Sequence, residues 1–338
     1  MTSHIVVLSA SFFLRSYWRI VKNKLDTTTL AALLAVLGAC AGANEEDPGD
    51  AKIVQLKERL LTPTADDVMV VAHRTCWRDT SENSIDGIAR CIELGVDIVE
   101  IDVRSTSDGV LVLMHDETID RTTDGSGRIN DKTYAEVQEL RLLDSDGRLS
   151  KNLSNRGVPT LEEALALVKG QILVNLDIKE PVQDQALEIV RKLDIGDQTI
   201  LKSFSAPDEN ELGQTDFYSD AHFMPIVVEC PNAWGPNCAS NLAEVVEEYE
   251  RYNPIAIEIV NKTDEFLVEG APSVADAGLR LWANTLGPDF AAGRSDDKSR
   301  TDPDANWGYV IEAGVNMIQT DRPEELLSYL KLRRSRGD

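Results

Sequence analysis

Acidic and apolar residues alternate in two short stretches of the sequence, and this spacing indicates a cation site. In VEIDVR, Glu100 and Asp102 stand two positions apart among valine and isoleucine residues. Residues two apart in a strand point to the same face, so the two carboxylates would repel each other unless a cation lay between them. In VNLDIKE, Asn175, Asp177 and Lys179 share a face in the same way. Hard oxygen ligands select Mg²⁺ or Ca²⁺, and the lysine could bind a phosphate.

Two of the four histidines follow apolar runs of the kind that form buried strands. His73 comes after VMVVA and precedes Arg74, and His115 comes after VLVLM and precedes Asp116. Active sites of α/β barrels lie at the carboxyl ends of the strands. One histidine at such a point is typical of a structural side chain. Two of them, with a carboxylate cluster and an arginine, predict an acid–base pair that acts on a metal-bound phosphate.

Helical patterns alternate with short β-rich runs, which is typical of parallel α/β architecture. A glycine joins helix to strand before VDIVEIDV, QILVNLDI, LRLWANT and VNMIQTD, where it can end the helix in a left-handed conformation. With further candidate strands the count reaches eight, over about 270 residues, which predicts a TIM (β/α)8 barrel; a doubly wound sheet is the alternative. The further candidate strands are 68–72, 198–202, 223–228 and 255–259.

Residues 1–40 have the composition of an export signal. A basic stretch precedes LAALLAVLGA, and about ten apolar residues are too few to span a bilayer. The run ends in LGAC, which resembles the lipobox of bacterial lipoproteins, so Cys40 would carry a lipid anchor and the protein would be periplasmic or on the cell surface. The alternatives are cleavage after AGA with secretion of a soluble protein, an uncleaved membrane anchor, or a start further downstream.

The remaining chain predicts one large domain. Residues 41–65 are interpreted as a small, acidic linker and an N-terminal helix. Residues 66–335 would form the barrel. Within it, residues 116–159 are rich in Gly, Asp, Ser and Thr and too long for a strand–helix loop, so they predict an insertion after the second strand.

Composition and charge narrow the class of protein. With 338 residues, 42% of them hydrophobic, the chain can bury a sizeable core, which excludes a disordered or fibrous protein. The net charge of −24 argues against nucleic acid as a partner, because binding phosphate backbones requires clustered Lys and Arg. An anionic substrate would therefore need a local cation.

Five cysteines are too few for a disulfide-stapled scaffold. Cys230 and Cys238 flank PNAWGPN and could form a disulfide in an oxidising compartment or remain unpaired thiols. Cys76 and Cys91 are poorer candidates, because Cys91 would lie ~12 Å along a helix that starts near Asn83. A bond between them would require the first loop to fold back over that helix.

Together these motifs resemble the glycerophosphodiester phosphodiesterase family. The resemblance extends over about residues 68–331 and implies a TIM barrel with a small insertion after the second strand. It also implies metal-dependent hydrolysis of glycerophosphodiesters to sn-glycerol 3-phosphate and an alcohol, with water or a substrate hydroxyl as nucleophile. The matching stretches are AHRTCWRDTSENS, GVDIVEIDVRSTSDGVLVLMHDETIDRTTDGSGRI, VNLDIK, LWANT and GVNMIQTDRPEELLSYL.

The same resemblance assigns roles to individual residues. One divalent metal ion, Mg²⁺ or Ca²⁺, would be the cofactor. The implied residues are the catalytic acid and base His73 and His115, the metal ligands Glu100, Asp102 and Asp177, the phosphate contacts Arg74 and Lys179, Glu82 near the metal or the histidines, and Trp282 in the wall of the substrate pocket.

Three positions depart from the family pattern. Thr75 replaces a glycine, so the first loop is expected to take a different path; Ser81 replaces a proline. Asp177 replaces a glutamate and would reach ~1.5 Å less far, which can shift metal preference or recruit a water ligand. The replaced glycine of the first loop leaves room for a lysophospholipase D or sphingomyelinase D-like phosphodiesterase. A third hypothesis is a non-catalytic lipoprotein that binds through its barrel.

Overall fold

The computed structural model describes residues 48–64, 66–204, 220–231 and 238–336. The predicted export signal, Cys40 and residues 41–47 of the linker lie outside these ranges and stay predictions. Within the described ranges, no helix is long and apolar enough to cross a membrane. The strands are β1 Met69–Ala72, β2 Ile98–Ser105, β3 Leu111–Leu113, β4 Leu173–Ile178, β5 Thr199–Ser203, β6 His222–Glu229, β7 Cys238–Ala239, β8 Ala256–Val260, β9 Arg280–Asn284 and β10 Met317–Thr320.

Helices occupy the segments between most strands. Several begin at residues that cap them: the Ser84 hydroxyl accepts from the Gly87 amide, and Thr160 forms a capping box with Glu163. The helices are α1 Pro48–Leu61, α2 Ile85–Leu94, α3 Tyr134–Val137, α4 Leu161–Val168, α5 Gln183–Leu193, α6 Leu242–Tyr249, α7 Asp264–Asp276, α8 Asp296–Ser299, α9 Tyr309–Glu312 and α10 Pro323–Arg336.

Eight of the described strands form a closed parallel barrel in the order β1, β2, β4, β5, β6, β8, β9, β10. The ring closes because β1 pairs with both β2 and β10. The predicted TIM barrel is therefore confirmed, and closure excludes the doubly wound alternative. Two short strands lie outside the ring: β3 pairs antiparallel with the end of β2, and β7 pairs with β6.

The lower, amino-terminal half of the barrel interior is apolar. Helix α1 contributes Ile53, Leu56 and Leu60 to this cluster, so it covers the amino-terminal end of the barrel. Arg280 is fully buried there, and its guanidinium donates to the carbonyls of Leu60, Asp67 and Asn316. The strand residues of the cluster are Met69, Val71, Ile98, Leu173, Ile200, Met224, Ala256, Trp282 and Met317.

Residues of β2 alternate between the two sides of the sheet. Val99, Ile101 and Val103 pack in the main core between the barrel and its helices. Glu100 and Asp102 take the interior face above Ile98 and are both buried. The pattern in VEIDVR thus places both carboxylates inside the carboxyl-terminal half of the barrel.

Residues 106–160, between β2 and α4, contain β3, the short helix α3 and a small core of their own. Gly125 and Gly147 come within contact distance of neighbouring segments, so the chain is tightly folded here. The buried members of this core are Val112, Met114, Ile119, Ile129, Val137, Leu142 and Val158.

Two disulfides are present in the described part of the chain. Cys230 and Cys238 are bonded, with their Cα atoms 5.2 Å apart. Of the two alternatives for this pair, a disulfide or unpaired thiols, the structure therefore has the disulfide. Cys76 and Cys91 are also bonded, with a Cα–Cα distance of 5.4 Å. The argument against this second pair is therefore wrong. The first loop does fold back over α2, where the Cys76 amide donates to the Gly87 carbonyl.

Candidate active site

Three buried or half-buried carboxylates meet at the carboxyl end of the barrel. Glu100 and Asp102 come from β2 and Asp177 from β4, and the register pairs Asp102 with Asp177. One oxygen of each carboxylate lies within 4.8 Å of the others. The structure therefore brings together the three acids that the sequence pattern predicted as a group.

Two ammonium groups balance part of this charge. Lys179 Nζ lies 3.0 Å from Asp102 Oδ1 and 2.7 Å from Asp177 Oδ2. Lys202 Nζ lies 3.1 Å from the same Asp177 oxygen. Burial raises the pKa of Asp102, but Lys179 and Arg74 outweigh it and hold that pKa well below its usual range.

Glu100 lacks a comparable counter-charge. Burial and the neighbouring Asp102 carboxylate raise its pKa, although Lys202 opposes them. Asp102 Oδ1 has an ion-pair contact with Lys179 but no well-aligned hydrogen bond to any described residue. A group of close carboxylate oxygens that is incompletely neutralised fits a hard divalent cation.

His73 follows β1 directly and is held by a carboxylate. Its Nδ1 lies 2.8 Å from Asp321 Oδ1, and the Trp77 indole Nε1 donates to the same oxygen at 3.1 Å. An ionised carboxylate only accepts, so Nδ1 carries the proton of this bond and Nε2 is the atom that can exchange a proton with substrate. Burial lowers the pKa of His73, but Asp321 outweighs it, and the net shift is upward.

His115 has the same arrangement shortly after β3, which pairs with the end of β2. Its Nδ1 lies 2.7 Å from Asp116 Oδ1, and the preceding Met114 amide donates to the Asp102 carbonyl. The hydrogen bond from His115, supported by Arg121, holds the pKa of Asp116 well below its usual range. Both predicted histidines thus border the acid cluster, each with Nδ1 on a carboxylate.

Glu82 links the two histidine regions rather than facing the acid cluster. One carboxylate oxygen lies 2.7 Å from Arg121 Nη2 and 3.3 Å from Arg74 Nη1. Arg121 also binds Asp116, with Nε 2.7 Å from Oδ2. Glu82 therefore holds together Arg74, beside the acid cluster, and Arg121, which supports the His115 pair.

The backbone of the first loop fixes the acids of β2. The Arg74 amide donates to Glu100 Oε2 at 2.7 Å, and the Asn83 side chain both donates to Asp102 Oδ2 and accepts from its amide. Thr75 has φ 74°, in the left-handed region that favours glycine. The loop thus keeps at Thr75 the left-handed backbone conformation that glycine favours, although the residue is threonine.

Trp282 does not line the opening. Its side chain is fully buried in the apolar lower half of the barrel, and Nε1 donates to Asn284 Oδ1 at 3.0 Å. Asn284 in turn donates to Glu258 Oε1 at 2.8 Å. The expected role in the pocket wall is therefore corrected: Trp282 supports polar residues of the barrel from below.

Sequence reasoning missed several residues that contact the predicted site, among them Lys202, Asp321 and Arg121. Lys202 shares the interior face of β5 with Ile200, so alternation in TILKS was an available signal. Asp321 directly follows strand β10, as His73 directly follows β1. Arg121 lies within residues 106–160, and its local sequence carries no signal for its contacts.

Comparisons with known proteins show which sequences and folds this chain resembles. Residues 73–220 match the sequence profile of the Glycerophosphoryl diester phosphodiesterase family, and residues 223–330 match a domain of unknown function. A glycerophosphodiester phosphodiesterase from Caldanaerobacter subterraneus subsp. tengcongensis is 29% identical over 274 residues, covering 78% of this chain and 98% of that protein. Mouse glycerophosphodiester phosphodiesterase 1 is 40% identical over 115 residues, which span 34% of each protein.

Solved structures show the same fold at low identity. A glycerophosphoryl diester phosphodiesterase from Parabacteroides distasonis is 23% identical, with a TM-score of 0.66 and coverage of 82% of this chain and 91% of its own. An Oleispira antarctica phosphodiesterase in complex with the product sn-glycerol-3-phosphate is 20% identical, with a TM-score of 0.55 and coverage of 78% and 97%.

Proposed function

We propose that the chain is a member of the glycerophosphodiester phosphodiesterase family, whose profile matches residues 73–220, and that it hydrolyses glycerophosphodiesters to sn-glycerol 3-phosphate and an alcohol. One observation carries the proposal. His73 and His115, each with Nδ1 on a carboxylate, border the cluster of Glu100, Asp102 and Asp177. A phosphodiester held at this cluster would lie between two groups able to move a proton.

The two histidines divide the proton transfers. His73 has a raised pKa because of Asp321, which suits the group that gives a proton to the leaving alkoxide through Nε2. His115 takes the proton of the attacking nucleophile through its own Nε2. Asp321 and Asp116 fix both rings so that neither has to reorient during the reaction.

The phosphate would be held at the opening by cationic side chains. Arg74 and Lys179 are 16% and 20% exposed and already lie against the acids of the cluster. Glu100, Asp102 and Asp177 would hold one divalent ion, Mg²⁺ or Ca²⁺. When bound, that ion would neutralise the phosphate and stabilise the charge that develops on its equatorial oxygens.

An activity assay separates the candidate functions. Purified protein is stripped with EDTA and incubated with glycerophosphocholine or a lysophospholipid, before and after addition of Mg²⁺ or Ca²⁺. Release of sn-glycerol 3-phosphate from glycerophosphocholine, dependent on added metal, is the expected result. Faster turnover of the lysophospholipid would instead support a lysophospholipase D or sphingomyelinase D type of enzyme. No turnover with any divalent metal would contradict a catalytic role and favour a binding protein.

We also propose that the protein is exported and anchored through a lipid on Cys40. The two disulfides support export, because such bonds persist in oxidising compartments, and the lipobox-like LGAC supports the anchor. Expression of the full chain in a bacterium, followed by detergent phase partition and mass spectrometry of the N-terminus, tests the proposal. The Cys40→Ala variant should move from the detergent phase to the aqueous phase. Equal partition of both proteins would contradict the anchor.

A further inference from the structure

Lys202 is a buried side chain surrounded by three carboxylates. Its side chain is 4% exposed, and Nζ lies 3.1 Å from Asp177 Oδ2, 3.8 Å from Glu100 Oε1 and 3.8 Å from Glu258 Oε2. Asp177 and Glu100 belong to the proposed metal site. Glu258 comes from β8, which is separated from β5 by β6. The ammonium group therefore lies where acids from three different strands converge.

Glu258 is a fourth acid with an oxygen aimed at the same space. Its Oε1 accepts from Asn284 Nδ2, and Trp282 holds that amide in place from below. Its Oε2 is buried and makes no hydrogen bond with the described residues, so the Lys202 ammonium is the charge that it faces. Without Lys202 this oxygen would be left as an uncompensated buried charge.

Several classes of phosphate-cleaving enzyme hold two divalent ions ~3.5–4 Å apart. Here three of the four acids surround an ammonium group that is part of the chain. We propose that Lys202 takes the place of a second divalent cation, so that the cluster binds a single ion. This inference rests on the proposed function, because it presumes that Glu100, Asp102 and Asp177 hold a metal.

Lys202 is accordingly a positioning residue. It holds Glu100, Asp177 and Glu258 towards one another without contact to the reacting atoms. Divalent ions require oxygen distances of ~2.0–2.6 Å, shorter than the contacts to the ammonium. A metal that replaced Lys202 would therefore draw Glu258 closer to Asp177 and Glu100.

Metal stoichiometry tests the inference directly. Mn²⁺ binding is measured by equilibrium dialysis and electron paramagnetic resonance on the wild-type protein and on Lys202→Met, Lys202→Met/Glu258→Gln and Lys57→Met. Lys57 is also ion-paired with an acid, Asp197, but lies on α1 outside the cluster, so it is a matched control. The expected stoichiometries are one ion for the wild type, two for Lys202→Met, and one for the double variant and the control.

The outcomes are distinguishable. One ion in Lys202→Met, or two ions in the wild type, would overturn the inference. Two ions in the double variant would contradict the role given to Glu258, because the second ion would then bind without that carboxylate. A wild type that binds none would instead contradict the proposed metal site. If Lys202→Met is unfolded without metal, recovery of its circular dichroism on Mn²⁺ addition is followed instead. Saturation at two ions per chain supports the inference; saturation at one, or no recovery, contradicts it.

Discussion

The Asp321 carboxylate fixes which nitrogen of His73 faces the substrate, since it accepts the Nδ1 proton at 2.8 Å. We expect Asp321→Asn to lower kcat by roughly 10²-fold or more, because the amide permits the wrong tautomer and removes the charge that raises the His73 pKa. If protonated His73 is the acid, activity falls as pH rises through that pKa. The variant should therefore lose activity at a lower pH than the wild type.

The pH–rate profile of kcat/KM, measured for both proteins, checks this expectation. Trp77→Phe is the matched control, since it removes the other donor to the same Asp321 oxygen but leaves the carboxylate. Its alkaline limb should stay close to that of the wild type. An Asp321→Asn enzyme with an unchanged alkaline limb would show that His73 is not the proton donor.

Thr75 occupies a left-handed conformation, with φ 74°, and its hydroxyl makes no hydrogen bond with the described residues. A non-glycine residue in this region costs ~1–3 kcal/mol, and glycine loses part of that gain through its larger unfolded-state entropy. We expect Thr75→Gly to raise the free energy of unfolding by about 1 kcal/mol. Urea denaturation measures the change. Thr75→Ala keeps the unfavourable φ and should not gain; a Thr75→Gly protein less stable than the wild type would contradict the argument.

At the scale of single residues, the alternation of acidic and apolar residues predicted the acid cluster, because this alternation can be read within one strand. Alternation places Glu100 and Asp102 on one face of β2, and Asp177 on the face of β4 opposite to Leu176 and Ile178, whatever the rest of the chain does. Contacts made from elsewhere have no such signal. Arg121 binds Glu82 across 39 positions of sequence, and nothing near it marks that contact. The prediction that Trp282 lines the pocket was wrong for a different reason. Alternation places Trp282 inside the barrel but does not show how far it lies from the opening.

Among the elements, the first loop is tied to α2 by the Cys76–Cys91 disulfide, and the same loop carries Arg74. Removing a cross-link of this length costs about 3 kcal/mol, and the shorter link between Cys230 and Cys238 costs about 2.5 kcal/mol. We expect similar losses of stability from Cys76→Ala/Cys91→Ala and from Cys230→Ala/Cys238→Ala. Only the first should strongly lower kcat/KM, because it frees the loop that holds the acids of β2. Denaturation and steady-state kinetics of both double variants compare the two; equal kinetic losses would contradict this role for the loop.

The segment between β2 and α4 reaches the site through Arg121, which bridges Glu82 of the first loop and Asp116 beside His115. Arg121→Met would leave the buried Glu82 with only its longer contact to Arg74, and Asp116 with only His115, so we expect a loss of about 3 kcal/mol in unfolding free energy. Misplacement of His115 should lower kcat by roughly tenfold or more. Arg121→Lys keeps the charge but not the two-point geometry, and should recover stability more than kcat. Full kcat in Arg121→Met would show that this segment does not position His115.

The types of the elements were easier to predict than the pairing that closes the strands into a barrel. Glycines at the helix ends gave the joints between helix and strand; Gly95, for example, ends α2 with φ 78°. That β1 pairs with both β2 and β10 follows from contacts over the whole chain, which no local window contains. The fold-back of the first loop over α2 was missed for the same reason, and with it the Cys76–Cys91 bond.

At the scale of the whole molecule, the charge of −24 opposes the binding of an anionic phosphodiester, whereas Arg74 and Lys179 attract it at the opening. These effects act over different distances. Salt shortens the Debye length from ~30 Å at 0.01 M to ~8 Å at 0.15 M, so it screens the distant surface acids more than cations in contact with the phosphate. We therefore expect the KM for the anionic glycerophosphoglycerol to fall as NaCl rises over this range. Glycerophosphocholine is zwitterionic, and its KM should change little, which controls for effects of salt on the enzyme itself. A KM for glycerophosphoglycerol that rises with salt would show instead that local cations, and not the overall charge, govern the approach of the substrate.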